Sequence, residues 1–343
     1  MYLRNAWYVA EIAARIGERF TAVRILGEPI VLFRSKVGTV VALEDACLHR
    51  KLPLSMGRLI DDTVECGYHG MTFDTSGRCL RVPGNQPIPD RATVRSYPVA
   101  ERYGFVWIWM GRAALADPGT ILQIEHYEDS TWGRTEPDSM IVACNYLYIT
   151  DNLLDPTHVA WVHPSSFGDP SCRQTPLTNT MLPTGMVVSR WMLDSEVAPF
   201  YRKFVRFEGK TDRKQEYAVH FPSLAVIRAV FTPTGSGGPE GHLHPDTFLM
   251  DSYNFLTPID EHRTHYFWIQ TRNFSPGDRE VSAVFAASVR GAFQEDKVIL
   301  EAVHKGMAEA LTPHLDLVID SGPTRFRRRL KQLIGAENES AAS

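Results

Sequence analysis

Between Cys47 and Gly70 the chain reads CLHRKLPLSMGRLIDDTVECGYHG, and this stretch constrains the fold more than any other. Cys47 and His49 are separated by one residue, Cys66 and His69 by two, and sixteen residues lie between the pairs. Two Cys and two His on two short loops point to a metal centre that ties the loops together. Zinc accepts such a shell and usually builds structure with it. A [2Fe–2S] cluster with two Cys on one iron and two His on the other carries electrons instead, because neutral imidazoles raise its potential. Zinc sites more commonly group Cys with Cys and His with His, so the mixed pairs favour the cluster, although these four residues alone leave zinc open. Gly67 and Gly70 suit loops whose backbone N–H groups approach sulfur. The other cysteines, Cys79, Cys144 and Cys172, read as small core hydrophobes, and five in 343 residues make no disulfide framework.

Around this stretch the signals are those of short strands. EPIVLFR and GTVVALEDAC are β-branched and bounded by Gly or Pro. RSYPVAERYGFVWIWMG reads as two strands joined at Arg102–Gly104. GRAALADPGTI then has the composition of a linker. A first domain over 1–115 and a second over 116–343 follow. In the second, a helix is expected over Tyr146 to Val162, strands from Met186 to Ile269, a long helix from Ser282 to Leu311, and a basic amphipathic helix near the carboxyl end. Helices flanking a run of strands make this an α+β domain. GSGGPEG at Gly235 lacks the strand–helix setting of a dinucleotide fingerprint and reads as a loop.

The net charge of −4 argues against nucleic acid as partner. No apolar run approaches the length of a membrane span, and Arg4, Asn5 and Glu11 interrupt any signal peptide, so a cytoplasmic protein is expected.

A second constellation lies in TDNLLDPTHVAWVHPSS, which carries Asp151, Asn152, Asp155, His158 and His163. Asp155 and His158, three apart, share a helix face. His158 and His163 converge only if the helix ends or bends between them, for which Pro156 and Pro164 give occasion. In SVRGAFQEDKVILEAV, Val289, Ala292, Phe293, Leu300 and Val303 form an apolar stripe with Asp296 at its centre, while Glu295 and Lys297 project sideways into solvent. A carboxylate centred on an apolar face is costly unless paired with an arginine or bound to a metal. Two His and one carboxylate with open positions form the facial triad of non-haem Fe(II) oxygenases. In LAVIRAVF, Arg228 interrupts a strand and is a candidate to pair with a substrate carboxylate or sulfonate, against the plainer reading of a structural ion pair. His220, His242 and His244 are undifferentiated, and the basic run Arg325–Lys331 reads as a docking face or the solvated side of a terminal helix.

Together these residues resemble the Rieske non-haem iron aromatic oxygenases, whose motifs Cys-x-His…Cys-x-x-His and Asp-x-x-His-x4-His are matched by Cys47, His49, Cys66 and His69 and by Asp155, His158 and His163. The distant aspartate of the family falls on Asp296, and RNAWYVA, YPVAERYGFVWIWMG and DNLLDPTHVAWVH extend the likeness along the chain. Length and wording are similar to the vanillate O-demethylase branch. The resemblance implies an all-β Rieske domain followed by a helix-grip-like domain, an antiparallel sheet with helices. It implies a [2Fe–2S] cluster on the Cys/His quartet, a mononuclear Fe2+ on His158, His163 and Asp296, and O2 as co-substrate. NADH would act indirectly, through a separate flavin/[2Fe–2S] reductase or a ferredoxin. The implied assembly is a homotrimeric ring in which Asp155 links His69 of one chain to His158 of the next, with Asn152 beside the iron. The implied reaction is O-demethylation of a methoxylated aromatic acid to a phenol and formaldehyde. Hydroxylation of an aryl methyl group and N-demethylation are the alternatives, and a zinc-stabilised binding protein is the non-enzymatic one.

Overall fold

The computed structural model describes residues 2–173 and 175–342. It divides into two compact units, one of residues 1–121 with 257–260 and one of residues 122–256 with 261–343.

Unit 1 is built from short antiparallel strands. Trp7–Ile12 pairs with Phe105–Trp109, which pairs with Val99–Arg102. The turn between the last two needs two consecutive residues at positive φ, supplied by Tyr103 (57°) and Gly104 (78°). That is the primed hairpin geometry whose twist matches its strands. A second sheet joins Thr21–Ile25, Glu28–Arg34 and Val40–Glu44, and a third joins Arg58–Ile60, Thr63–Glu65, Thr72–Phe73 and Cys79–Arg81. Trp107 and Trp109 are buried along with Val106, Ile108 and Met110, so both faces of this strand are covered. Cys47, Cys66 and Cys79 belong to one apolar cluster with Phe33, Leu54, Val64 and Phe73.

Unit 2 centres on an eight-stranded antiparallel sheet. Its long strands are Gly185–Ser195, Thr211–His220, Leu224–Pro233, Phe248–Asp260 and Arg263–Arg272. Thr178–Leu182 closes one edge, and Gly133–Arg134 and Asp138–Val142 both pair with Arg263–Arg272. The last two strands were not expected from sequence: two and five residues long, with Asp138 and Ser139 at the start of the longer one, they carry little β signal.

The helix expected over Tyr146 to Val162 is two helices, α1 (Tyr146–Leu153) and α2 (Val159–Val162). Asn145 caps α1 by accepting from Leu147 N at 3.1 Å. Between them Pro156 removes a donor, and the Asp155 carboxylate takes Thr157 N at 2.9 Å in a tight turn. Helix α3 (Arg279–Glu309) starts at Asp278, which accepts from Val281 N at 3.0 Å. Its buried residues are Phe285, Val289, Ala292, Phe293, Asp296 and Leu300, one face at helical spacing. Val303, expected on that stripe, is 42% exposed, and His304 beside it takes the contacts with Tyr148 and His262 instead. Helix α4 (Ser321–Ala342) buries Phe326 and Leu330 and ties Arg327 to Asp151, while Arg325, Arg328, Arg329 and Lys331 face outward. Among the described residues no helix is long and apolar enough to cross a membrane.

Candidate metal centres

The two Cys/His loops of unit 1 have the same construction. Cys47 N donates to Leu52 O (2.9 Å) and Lys51 N to Cys47 O (2.9 Å), as Cys66 N donates to Met71 O (2.8 Å) and Gly70 N to Cys66 O (3.0 Å). Each turn buries its cysteine to 2% and leaves its histidine at the surface. The His49 and His69 rings stand side by side, 4.7 Å apart. A Cβ at Gly67 would lie 2.8 Å from Met56 O, and Gly70 has φ +70°, so the loops close this tightly only with glycine there. Burial pushes the Cys47 thiol up, while N–H groups of His49 and Arg50 pull it down and the neighbouring Cys66 sulfur raises it further. Those N–H groups are placed to stabilise a thiolate.

The geometry of the quartet bears on zinc against a cluster. A tetrahedral zinc with ligands at about 2.0–2.3 Å draws them all within about 4 Å of one another. Among the described residues, the group of His, Cys, Asp or Glu ligand atoms lying within 4.8 Å of one another is His158, His163 and Asp296, not the quartet. The quartet sets its sulfurs inside and its imidazoles outside. That layout fits two irons.

The second centre is assembled in unit 2. The break after α1 turns His158 to the start of α2, and His163 follows its last residue, just before Pro164. The middle of α3 supplies Asp296. Asp296 Oδ1 lies 3.0 Å from His163 Nε2 and 3.6 Å from His158 Nε2, and Asn152 Nδ2 donates to it at 3.3 Å. His163 is 2% exposed and Asp296 11%. The second ring nitrogen of each histidine is also engaged. His163 Nδ1 meets Glu295 Oε2 at 2.6 Å, and His158 Nδ1 meets the main-chain carbonyl of Asp155. Burial opposes a charged His163, but Asp296 and Glu295 outweigh it and hold its pKa above the ordinary value. Two imidazoles and one carboxylate, each histidine steadied through its other nitrogen, fit a mononuclear Fe(II).

One expectation needs correction here. Glu295 is not simply solvated: at 43% exposure its carboxylate still reaches back to His163. Within the chain Asp155 meets His158 through its backbone carbonyl, while its Oδ1 accepts from Thr157 N.

The three ligand side chains line a cavity with apolar walls that include Leu153, Val159, Ile227, Val289 and Phe293. Asn152, Phe167, Tyr201, Tyr217, Met250 and Ser252 complete it. Arg228 is not in it. Strand residues alternate between faces, so Ile227 pointing into the cavity puts Arg228 on the other side of the sheet. There its guanidinium makes two 2.7 Å bonds to the fully buried Asp251 and one of 2.7 Å to Glu125. The candidate substrate ligand is a structural ion pair. His220 bonds Thr184 at 3.1 Å, and His242 and His244 sit exposed in a loop. Tyr201, Tyr217 and Ser252 were missed. The signal was the polar inward row Arg213, Gln215, Tyr217 on a strand that otherwise looks half-solvated.

Residues 6–98 match the Rieske [2Fe–2S] domain and residues 142–336 the vanillate O-demethylase oxygenase C-terminal domain. The chain is 37% identical, over all of both chains, to the iron–sulfur subunit of a toluene-4-sulfonate monooxygenase system from Comamonas testosteroni. It is 33% identical to a vanillate O-demethylase oxygenase subunit from a Pseudomonas species, over 99% of this chain and 97% of that one. Among solved structures, dicamba monooxygenase bound to 3,6-dichlorosalicylic acid superposes with a TM-score of 0.88 at 30% identity, covering 100% of this chain and 99% of the other. The buried-Cys, exposed-His loops, the His/His/Asp centre and these matches place the chain in the Rieske non-haem iron oxygenase family, as the terminal oxygenase component of a monooxygenase system.

Proposed function

We propose that this oxygenase oxidises a methyl C–H bond carried by an aromatic acid, with O-demethylation of a methoxy group as the main reaction. In this reading Cys47 and Cys66 hold one iron of the cluster, His49 and His69 hold the other, and His158, His163 and Asp296 hold the mononuclear iron. Domains 1–115 and 116–343 divide the two tasks. When bound, the metals supply electron transfer and O2 activation. The chain supplies position. Leu153, Val159, Ile227, Val289 and Phe293 exclude water from the bond to be oxidised and hold the ring flat between them. Asn152 keeps Asp296 oriented through its 3.3 Å hydrogen bond. Oxidation of a methoxy carbon leaves a hemiacetal, which collapses to a phenol and formaldehyde.

The observation that carries the reading is the apolar cavity that His158, His163 and Asp296 line. A second reading, hydroxylation of an aryl methyl group, draws on the 37% identity to the toluene-4-sulfonate system. Both readings need a separate reductase or ferredoxin, and both fit a cytoplasmic homotrimer serving the breakdown of aromatic compounds. In such a ring the half-buried Asp155 connects His69 of one chain to His158 of the next, using its carboxylate for the first and its carbonyl for the second.

The test is O2 uptake with a generic reductase over vanillate, methylbenzoate and toluene-4-sulfonate. Formaldehyde formed in step with phenol supports O-demethylation, and a benzylic alcohol supports the second reading. O2 consumption that none of these aromatic acids stimulates contradicts both.

A further inference from the structure

Among the described residues lining the cavity there is no lysine or arginine, and Arg228 is spent elsewhere. An aromatic acid therefore needs some other counterpart for its anionic group. One wall offers it. Across the sheet, Tyr217 stands in register with Ile227, and Ile227 with Ser252, and all three line the cavity. Two residues back along the same face, Gln215 is in register with Arg190 of the neighbouring strand, and two further back lies Arg213.

These residues form a connected set. Arg190 is 5% exposed, donates through Nε to Gln215 Oε1 at 2.8 Å, and gives three further N–H bonds to the carbonyls of Cys172, Thr175 and Pro156. All its partners are neutral. Gln215 Nε2 in turn reaches the Tyr217 hydroxyl oxygen at 3.4 Å. Because that oxygen accepts, the Tyr217 O–H proton is left to donate elsewhere, and the ring lines the cavity. Arg213 is 1% exposed, pairs with Asp169, donates to Phe167 O at 2.9 Å, and keeps a buried Nε without a partner. It packs against Tyr201, whose ring also lines the cavity. Burial holds the Tyr201 hydroxyl up at about 12 and the Tyr217 hydroxyl higher still, so both remain O–H donors at neutral pH. Of the two guanidiniums behind the two tyrosines, Arg213 thus has a carboxylate partner and Arg190 has only neutral ones. Burying such a charge is costly unless an anion completes the site.

We propose that this wall is the anion-binding end of the cavity, where the Tyr217 and Tyr201 hydroxyls donate to the carboxylate or sulfonate of the substrate and Arg190 and Arg213 supply the compensating charge. The inference rests on the reading of the substrate as an aromatic acid and adds how that acid is recognised. Tyr217 and Tyr201 are substrate-binding residues here. Gln215, Arg190 and Arg213 act through them.

Calorimetric binding to the oxidised holoenzyme tests this without turnover. The probes are two matched pairs, 3-methoxybenzoate with 3-methoxybenzamide and toluene-4-sulfonate with toluene-4-sulfonamide. At least one acid is expected to bind about tenfold more tightly than its amide, the scale of a hydrogen bond to a charged group. Which pair shows the preference tells carboxylate from sulfonate. Tyr217→Phe, which keeps the ring packing, is expected to weaken that acid about tenfold and move the amide by less than about twofold. Gln215→Leu should give part of the same loss, a result that ring packing alone does not produce. Equal binding of acid and amide by the unmodified enzyme, or an acid preference untouched in the Tyr201→Phe/Tyr217→Phe double variant, overturns the anion site and leaves the proposed reaction standing. Failure of all four compounds to bind at millimolar concentration overturns the reading of the substrate, and this inference with it.

Discussion

In the proposed reading, the Cys/His quartet of unit 1 and the His/His/Asp centre of unit 2 hold metals by opposite means. The first is local: residues 47–69 form two turns of one pattern, and each turn contributes one Cys and one His. The second draws on residues 158–296 and exists only because a helix breaks at Pro156 and another crosses above the sheet. A local centre needs glycines and short strands. An assembled one needs supports, and here every ligand has one: Glu295 on His163, the Asp155 carbonyl on His158, Asn152 on Asp296. The two centres should therefore fail differently when their parts are removed.

Replacing Cys66 by Ala should have the largest effect. A cluster cannot close on three of four ligands held this rigidly, so visible absorbance and turnover should both disappear. A variant that kept its colour would show that the quartet is not the cluster site. Glu295→Gln should act only on the assembled centre. It weakens the partner of His163 Nδ1, and a supporting carboxylate of this kind is worth about 10–100-fold in metal affinity. Iron titration of the apo-protein reads the change, and an unaltered affinity removes Glu295 from the site. Asp155→Asn keeps the backbone carbonyl that His158 uses, so both metals should stay. Single-turnover electron delivery should slow by about tenfold with the loss of one charge-assisted hydrogen bond. Unchanged kinetics would end the linking role.

Arg228→Ala should have the smallest effect on the reaction, with KM unaltered. Its cost falls on folding, about 3 kcal/mol, because Asp251 is left buried and unpaired. A raised KM with unchanged thermal stability would return Arg228 to the substrate site.

What was legible in the sequence follows the same division. The strands at Glu28–Arg34 and Phe105–Trp109, the hairpin at Tyr103–Gly104 and the convergence of His158, His163 and Asp296 could be read from spacing and burial pattern. Asp296 stood out as a charge on an apolar helix face. Less legible were features that depend on which face of a strand is inside. Arg228 and Ile227 are neighbours on a strand with apolar residues on both faces, so alternation alone could not say which one meets the substrate. Glu295 was misplaced because a helix position beside a buried one is normally wet, and only its reach back to His163 gives it a partner. Arg190 and Arg213 were invisible because buried arginines are rare, and an alternating polar strand reads as solvated.

The most direct measurement is iron content together with the visible and electron paramagnetic resonance spectra of the Asp296→Ala holoenzyme. Two independent centres predict a fall from about three iron atoms per chain to about two, an unchanged Rieske spectrum, and no product. Loss of the cluster spectrum in that variant, or a colourless zinc-loaded parent protein, would contradict the assignment of two separate centres to this chain.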